Sequence, residues 1–318
     1  MQKKACTAFI YVLKYSYRGR RPLYTVERQD KMSTNPIYQA VTDAIIAQLE
    51  QGAAPWVKPW RADASADANL VTGKAYQGVN RLILGMAAMA GGFSSNKWAS
   101  YNQLKAAGFN VRKGEKGTAI CFYKPVAGTV DASTGELSSG YAVLKSYCIF
   151  NLSQTDAPAD ALTPAPAAAF DAHAACDAAI IKTGAAISHG GDAAFYMPST
   201  DSIRMPNKAS FESAAHYYAT ALHELTHWTG AKHRLNRDFS GRFGNPAYAF
   251  EELIAEIGAA YLCADLGIQG ELRHAGYIAS WLKACRDDNT AIFKAAAMAQ
   301  KAADFIKGTA AALELEAA

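Results

Sequence analysis

Residues 223–233 read HELTHWTGAKH, and His223, Glu224 and His227 in that stretch form His-Glu-x-x-His. On a helix, positions i and i+4 share a face, so the two imidazoles point the same way. Two neutral imidazoles at that spacing suit a tetrahedral Zn2+ ion, and the glutamate between them suits a general base acting on an activated water. Another divalent metal such as Mn2+ is compatible with nitrogen and carboxylate donors. The chemistry expected is metal-assisted hydrolysis of a peptide bond in a protein substrate that the sequence does not identify.

A third ligand is needed, and two candidates compete. The letters complete His-x-x-Gly-x-x-His, the metzincin spacing, with His233 as ligand and Gly230 as the turn. That spacing also calls for a downstream methionine turn, and the only later methionine is Met298, inside an alanine-rich helix. The other candidate lies on the next helix, which carries Glu251, Glu252 and Glu256 among Leu253, Ile254 and Ile257. Carboxylates in so apolar a helix are costly without a cation. Glu252 is therefore the favoured third ligand, with Glu256 one turn on bracing His223 from behind. Glu251 points about one hundred degrees away and is the weaker choice.

These groups need elements to hold them. Phe211, Ala215, Tyr218, Leu222 and Leu225 recur at helical spacing, with Ser210 as N-cap and Gly230 as stop. Tyr217 or Tyr218 could donate to a developing oxyanion. Asn245-Pro246 opens the helix bearing the glutamates, and Gly267 closes it. Ahead of both, Phe195–Met197 and Ser202–Met205 read as a hairpin whose free edge could pair with an extended substrate. His189, in a glycine-flanked loop, is a weaker ligand candidate. Leu272–Cys285 and Thr290–Ile306 read as covering helices.

The chain has 318 residues and is half apolar, enough for two domains. Its net charge of +4 is unevenly spread. Residues 1–31 hold 8 basic and 2 acidic side chains, residues 32–154 hold 11 and 7, and residues 155–318 hold 13 and 19. A basic front and an acidic back argue for two jobs. The 6 cysteines form no Cys-x-x-Cys pair, which fits reduced thiols in the cytoplasm. No apolar stretch is long enough to span a membrane, and no dinucleotide or phosphate-loop fingerprint occurs. A new pattern starts at Met32, so residues 1–31 read as an extension and possible non-native start.

Residues 32–154 read as a small α+β domain. Asn35 to Gln51 is an amphipathic helix with Ile37, Val41, Ile45 and Leu49 on one face. Trp56, Lys58 and Trp60 follow in a proline-stiffened turn, then Lys74, Tyr76 and Asn80, then Trp98 and Tyr101, then the basic turn Arg112, Lys113 and Lys116. Strand-like runs follow at Ala119–Tyr123 and Tyr141–Phe150. Aromatics interleaved with cations suit single-stranded nucleic acid, where rings stack on bases and cations meet phosphates. The tryptophans fit equally well as core anchors. Residues 155–170 are an Ala/Pro-rich linker, and 171–318 form a mostly helical domain with a small sheet.

Several motifs in order carry a resemblance: PW-x-x-PW at Pro55–Trp60, TG-x-x-Y-x-G-x-N at Thr72–Asn80, VRKGEKGT at Val111–Thr118, FN-x-x-Q at Phe150–Gln154, HELTHWTG, and EEL-x-AE-x-GAA at Glu251–Ala260. Residues 36–318 resemble the ArdC-type antirestriction proteins of conjugative plasmids, and the front half is similar to the N-terminal region of TraC-type plasmid primases. The resemblance implies an N-terminal domain that binds single-stranded DNA and a zincin-like metallopeptidase domain. It also implies a role in protecting incoming plasmid DNA from restriction. The alternative function is a single-strand coat whose zincin domain is structural or inactive. A priming enzyme is disfavoured, because the front half shows no carboxylate cluster typical of nucleotidyl transfer.

Overall fold

The structure, a computed structural model, describes residues 11–14, 35–51, 66–126, 141–162, 172–239, 246–268 and 278–308. It is α+β. The front half runs β1 (Tyr11–Lys14), α1 (Pro36–Glu50), β2 (Ala68–Asn69), α2 (Val79–Gly91), β3 (Lys97–Ala99), α3 (Tyr101–Ala106), β4 (Thr118–Val126) and β5 (Tyr141–Asn151). After a short turn, α4 (Ala159–Leu162), the back half runs α5 (Ala172–Thr183), β6 (Ala186–His189), β7 (Phe195–Met197), β8 (Ser202–Met205), α6 (Ala214–Thr229), α7 (Pro246–Leu266), α8 (Ile278–Asp287) and α9 (Ala291–Lys307).

In the front sheet β5 is the hub. It pairs antiparallel with the whole of β4 and, on its other side, with β1 and β3. The back sheet has the order β6-β8-β7, with β7 antiparallel on a free edge. The hairpin joins Phe195–Met197 to Ser202–Met205, the bounds that the alternation of side chains and the Pro198–Asp201 turn predict.

Helix α1 is capped by Asn35, whose Oδ1 accepts from the Ile37 N–H at 2.9 Å. It buries Tyr38, Thr42, Ile45 and Leu49, so its inner face is rotated from the predicted one: Ile37 and Val41 are only part-buried. Thr42 supplies the reason, since its hydroxyl donates to the Asn289 carbonyl at 2.8 Å in the turn before α9. Tyr38 packs edge-on against Phe293 of α9 at 4.5 Å.

The two halves share a core. Ile45, Leu49 and Leu82 from the front belong to the same buried cluster as Leu222, Leu225, Leu253, Ile257 and Trp281. Arg81 joins the halves with two hydrogen bonds to Asp265, at 2.7 and 3.3 Å, and lies over the Tyr261 ring at 4.2 Å. The Tyr261 hydroxyl donates to the Gly78 carbonyl at 2.8 Å. Among the described residues, no helix is long and apolar enough to cross a membrane.

What positions the candidate site is the crossing of α6 and α7. Gly258 makes the approach possible: a Cβ there would lie 2.6 Å from Thr226 Cγ2. The buried alanines 295, 299, 302 and 303 likewise let α9 lie close to the other side of the bundle. Small residues at helix contacts bring backbones together, and close backbones bring the functional side chains of two helices within reach.

Candidate functional site

Helix α6 starts later than its sequence suggests. Lys208–Ser210 is a single 3-10 turn, and the N-cap is Ser213, whose Oγ accepts from the His216 N–H at 3.2 Å. Phe211 precedes the helix and still packs on the core. Tyr217, Tyr218, Ala221, Leu222 and Leu225 are buried, and His223, Glu224 and His227 are buried with them. The helix ends at Gly230, whose φ of −75° any residue could adopt. Glycine is needed for a different reason: a Cβ at Gly230 would lie 2.6 Å from the Phe239 ring and 2.9 Å from Arg237. That contact lets residues 231–239 fold back over the helix end.

At the crossing, His223 Nε2 and His227 Nε2 face each other at 3.2 Å. The two oxygens of Glu252 lie 3.6 Å from the first and 3.5 Å from the second. Tetrahedral donors at metal–ligand distances of about 2.0–2.2 Å sit roughly 3.4 Å apart, so these three groups fit one ion. Among the described residues, this trio is the one cluster whose ligand atoms all lie within 4.8 Å of one another. His233 is elsewhere. Its ring is exposed and meets Asp201 at 3.3 Å and Arg234 at 2.6 Å. His189 is also elsewhere, 2.9 Å from the Tyr217 hydroxyl.

Each histidine is backed by a carboxylate on its far nitrogen. His223 Nδ1 lies 3.4 Å from Glu256, which is fully buried. His227 Nδ1 donates to Glu251 Oε1 at 3.1 Å. A carboxylate on Nδ1 fixes the tautomer that leaves Nε2 available as a donor to metal. Glu251 is thus the residue the sequence reading undervalued. Its angle on the helix points it away from Glu252, and that offset is what puts it behind His227.

Glu251 is in turn gripped by Arg237. The guanidinium donates to both carboxylate oxygens, at 2.8 and 2.9 Å, to Thr229 Oγ1 at 2.9 Å, and to the Thr226 carbonyl. Both side chains of this pair are almost wholly buried. No periodic signal marks Arg237, which lies in the loop after α6. The hint available in sequence was a buried glutamate doublet with a single metal to satisfy it.

The charge balance explains the shifts. Burial works against a charged His227, yet hydrogen bonds to Glu251 and Glu252 override it and raise the imidazole to about 10. His223 is likewise pulled up, against burial, by Glu252 and Glu256. Burial works against a charged Glu252 as well, but the two imidazoles hold its carboxyl well below the usual range. Four carboxylates (224, 251, 252 and 256) surround the crossing, and Arg237 answers one of them. Such a donor set favours a cation.

The cluster lies in a cleft of about 470 Å3. Glu224 lines it, with Ala194, Phe195 and Tyr196 of the hairpin on one wall and Phe239 and Tyr248 on another. Tyr217 and Tyr218 are not among the lining residues. Tyr217 is held by His189 and Tyr218 by Asp177, at 2.9 and 3.0 Å, so neither phenol named from sequence lines the cleft; the phenols that do are Tyr196 and Tyr248. Tyr196 already donates to Asp201 at 2.9 Å, and burial and that contact push its hydroxyl up to about 12. Asp201 receives Arg234 at 2.9 Å, and Arg234 lies over the Trp228 ring at 3.7 Å. The hairpin wall is therefore tied to the end of α6.

The candidate nucleic-acid residues separate sharply. Trp56, Lys58 and Trp60 lie outside the described residues. Trp98 is fully buried and donates to Asp67 at 2.6 Å, so it anchors a core and cannot stack on a base. Asn80 donates to the Cys121 carbonyl and accepts from its N–H, at 2.7 and 2.8 Å, and so fastens α2 to the outer edge of β4. Arg112 is committed to the carbonyls of Ser153 and Thr155 and to Glu115. Tyr76 is half-buried, its hydroxyl 3.4 Å from Asn69 Nδ2. Lys74, Tyr101, Lys113 and Lys116 are exposed.

Comparison with known proteins gives the following. Residues 35–150 match the family described as the N-terminal domain of the anti-restriction factor ArdC, and residues 174–298 match the zincin-like metallopeptidase family. The uncharacterised protein y4eC of Sinorhizobium fredii is 42% identical over 299 residues, covering 89% of this chain and 94% of that protein. Two DNA primases TraC of Escherichia coli are 40% and 39% identical, each alignment covering 85% of this chain but only 27% and 20% of the primase. The metal-free crystal structure of antirestriction protein ArdC from plasmid R388 matches with TM-score 0.72 at 44% identity, covering 87% of this chain and 98% of that one. The Mn(II)-bound structure of the same protein matches with TM-score 0.69 at 43% identity, covering 86% and 98%.

Proposed function

The chain belongs to the ArdC family of antirestriction proteins, and on that premise we propose that it binds single-stranded DNA through its front half and hydrolyses peptide bonds in a protein substrate through its back half, so protecting incoming plasmid DNA. The zincin-like fold implies a divalent metal, and the ion proposed is Zn2+, held by His223, His227 and Glu252. The observation that carries the reading is the convergence of those three groups from two helices beside Glu224 on a cleft. When bound, the ion supplies Lewis acidity toward a carbonyl and a lowered pKa for water.

The remaining work falls to side chains of this chain. Glu224 takes a proton on its carboxylate and returns it to the leaving amine. Glu251 and Glu256 hold the imidazoles in the donating tautomer. The free edge of β7 offers backbone groups to an extended peptide, and Phe195 and Tyr196 give it contact surface. Tyr248, which lines the same cleft, would donate to the carbonyl oxygen as charge develops there.

Replacement of Glu224 by Gln tests the reading. Metal content, measured by mass spectrometry of purified protein, should match wild type, while peptide hydrolysis falls by about 10^2–10^4-fold. Unchanged turnover would remove Glu224 from the mechanism. Retained protection of transferred DNA in the same variant would instead make the protein a single-strand coat with an incidental peptidase.

A further inference from the structure

With Trp98 buried, the front half needs another surface on which bases could stack. Among the described residues, the exposed aromatic rings are Tyr101, Phe122, Tyr147 and Phe195. Phe195 belongs to the peptidase cleft. Phe122 and Tyr147 belong together, their centroids 6.0 Å apart in an edge-to-face pair, although they are 48% and 45% exposed. Register explains the meeting. Phe122 of β4 lies opposite Lys145 of β5, and Tyr147 lies opposite Ile120, so all four share one face of the ribbon and the two rings are diagonal neighbours. Ile120 and Ile149 anchor one end of that face in the core beside Trp98, which leaves the rings projecting beyond it from a rigid base.

The electrostatics of this ribbon point to a polyanion. Residues 118–126 and 141–151 contain two lysines, Lys124 and Lys145, and no acid. At the other end, the turn leading into β4 exposes Lys113 and Lys116. The acid of that turn, Glu115, is held by Arg112 at 2.8 Å and by Gln154 at 3.0 Å. Lys145 thus stands directly opposite Phe122, and the Lys113–Lys116 turn lies beyond Thr118, about 13 Å along the strand from Phe122 counting four residues. Peptide ligands with apolar anchors would explain the rings but not the absence of carboxylates from the two strands that carry them. Stacking plus phosphate contact explains both.

We propose that Phe122 and Tyr147 form the base-stacking site of this protein for single-stranded DNA, with Lys145 and the Lys113–Lys116 turn meeting the backbone phosphates. This rests on the single-strand binding proposed above and names the surface that performs it. Neither ring stands out in the sequence, because each falls in a strand whose alternation reads as ordinary sheet.

The test is fluorescence anisotropy of a labelled oligothymidylate with the full chain across a salt series. Phe122→Ala and Tyr147→Ala should each weaken binding about 5-fold or more, and the double variant about 30-fold. The salt slope of these variants should equal that of wild type. Lys145→Ala should instead reduce the slope by about 0.7, one phosphate's worth on a single strand. Tyr147→Phe should bind as wild type, since the ring is kept. A double variant that binds as tightly as wild type overturns the proposal while leaving single-strand binding intact. So does a double variant that loses thermal stability with unchanged affinity, which would make the pair a packing contact. A wild-type dimer that the double variant dissolves would assign the face to a second copy. A wild-type protein that binds no oligonucleotide at low salt would defeat the single-strand reading itself, and this proposal with it.

Discussion

In the back half, the groups with chemistry are inside. His223, Glu224, His227 and Glu252 are 6 to 8% exposed, and Glu256 is not exposed at all. In the front half, the groups we assign to recognition are outside, with Phe122 and Tyr147 about half exposed. A charge taken out of water must be answered locally, so a buried ionic cluster constrains its own surroundings down to Arg237 and Thr229. A ring on a surface constrains nothing around it. The same difference explains why three carboxylates on α7 could be read from sequence as a metal neighbourhood, while aromatic–cation interleaving was divided between core and surface and needed coordinates to sort.

The sharpest way to break the comparison is at the metal. Glu252→Ala should abolish stoichiometric divalent metal binding, measured by calorimetry, whereas His233→Ala should leave it unchanged. The reverse result would move the third ligand to the loop after α6.

Next in size is Arg237→Met, which strands the buried Glu251 carboxylate. We expect a loss of about 3–5 kcal/mol in denaturant unfolding. Metal affinity should drop by about 10–100-fold as His227 loses its orienting partner. The double variant Arg237→Met, Glu251→Gln should regain most of the stability and little of the affinity, which separates charge burial from imidazole positioning.

Gly258→Val attacks the helix crossing instead of the ions. Its Cβ would meet Thr226, and overpacking of this kind costs about 1–3 kcal/mol. Weaker metal binding should accompany it, because Glu252 and Glu256 ride on the same helix. Front-half binding of single strands should be unaffected, and a parallel loss there would show that the two halves act as one unit.

The smallest effect is expected at the hairpin wall. Hydrogen bonds from Arg234 hold the Asp201 carboxyl down to about 2, against partial burial. A depressed folded pKa means the contact stabilises the protein above the ordinary carboxylate range and is lost as pH falls through about 2. Asp201→Asn should therefore lower the melting temperature at pH 7 and make less difference near pH 3. With 39% of the Asp201 side chain exposed, solvent screening keeps the effect below about 1 kcal/mol.

Much of the local structure was written in the residues. The hairpin bounds and the start of α7 at its proline follow from turn and cap chemistry that acts over a few residues. The Ser213 cap was misplaced by three positions, because Ser210 and Ser213 are equally good acceptors and only the path of the 3-10 turn before them chooses. The inner face of α1 was misjudged because Thr42, polar by type, is buried once a carbonyl 247 residues away accepts its hydroxyl.

Sequence alone determined that two imidazoles would share a helix face with a glutamate between them, since a helix's period is a local property of the backbone. It also determined that acids in an apolar helix would need a cation. Only the tertiary structure decided which acid faces both imidazoles, which ones stand behind them, that an arginine from a loop answers one of them, and which rings of the front half meet solvent. Those choices depend on the angle and closeness of two helices and on the register of two strands, and no single segment carries that information.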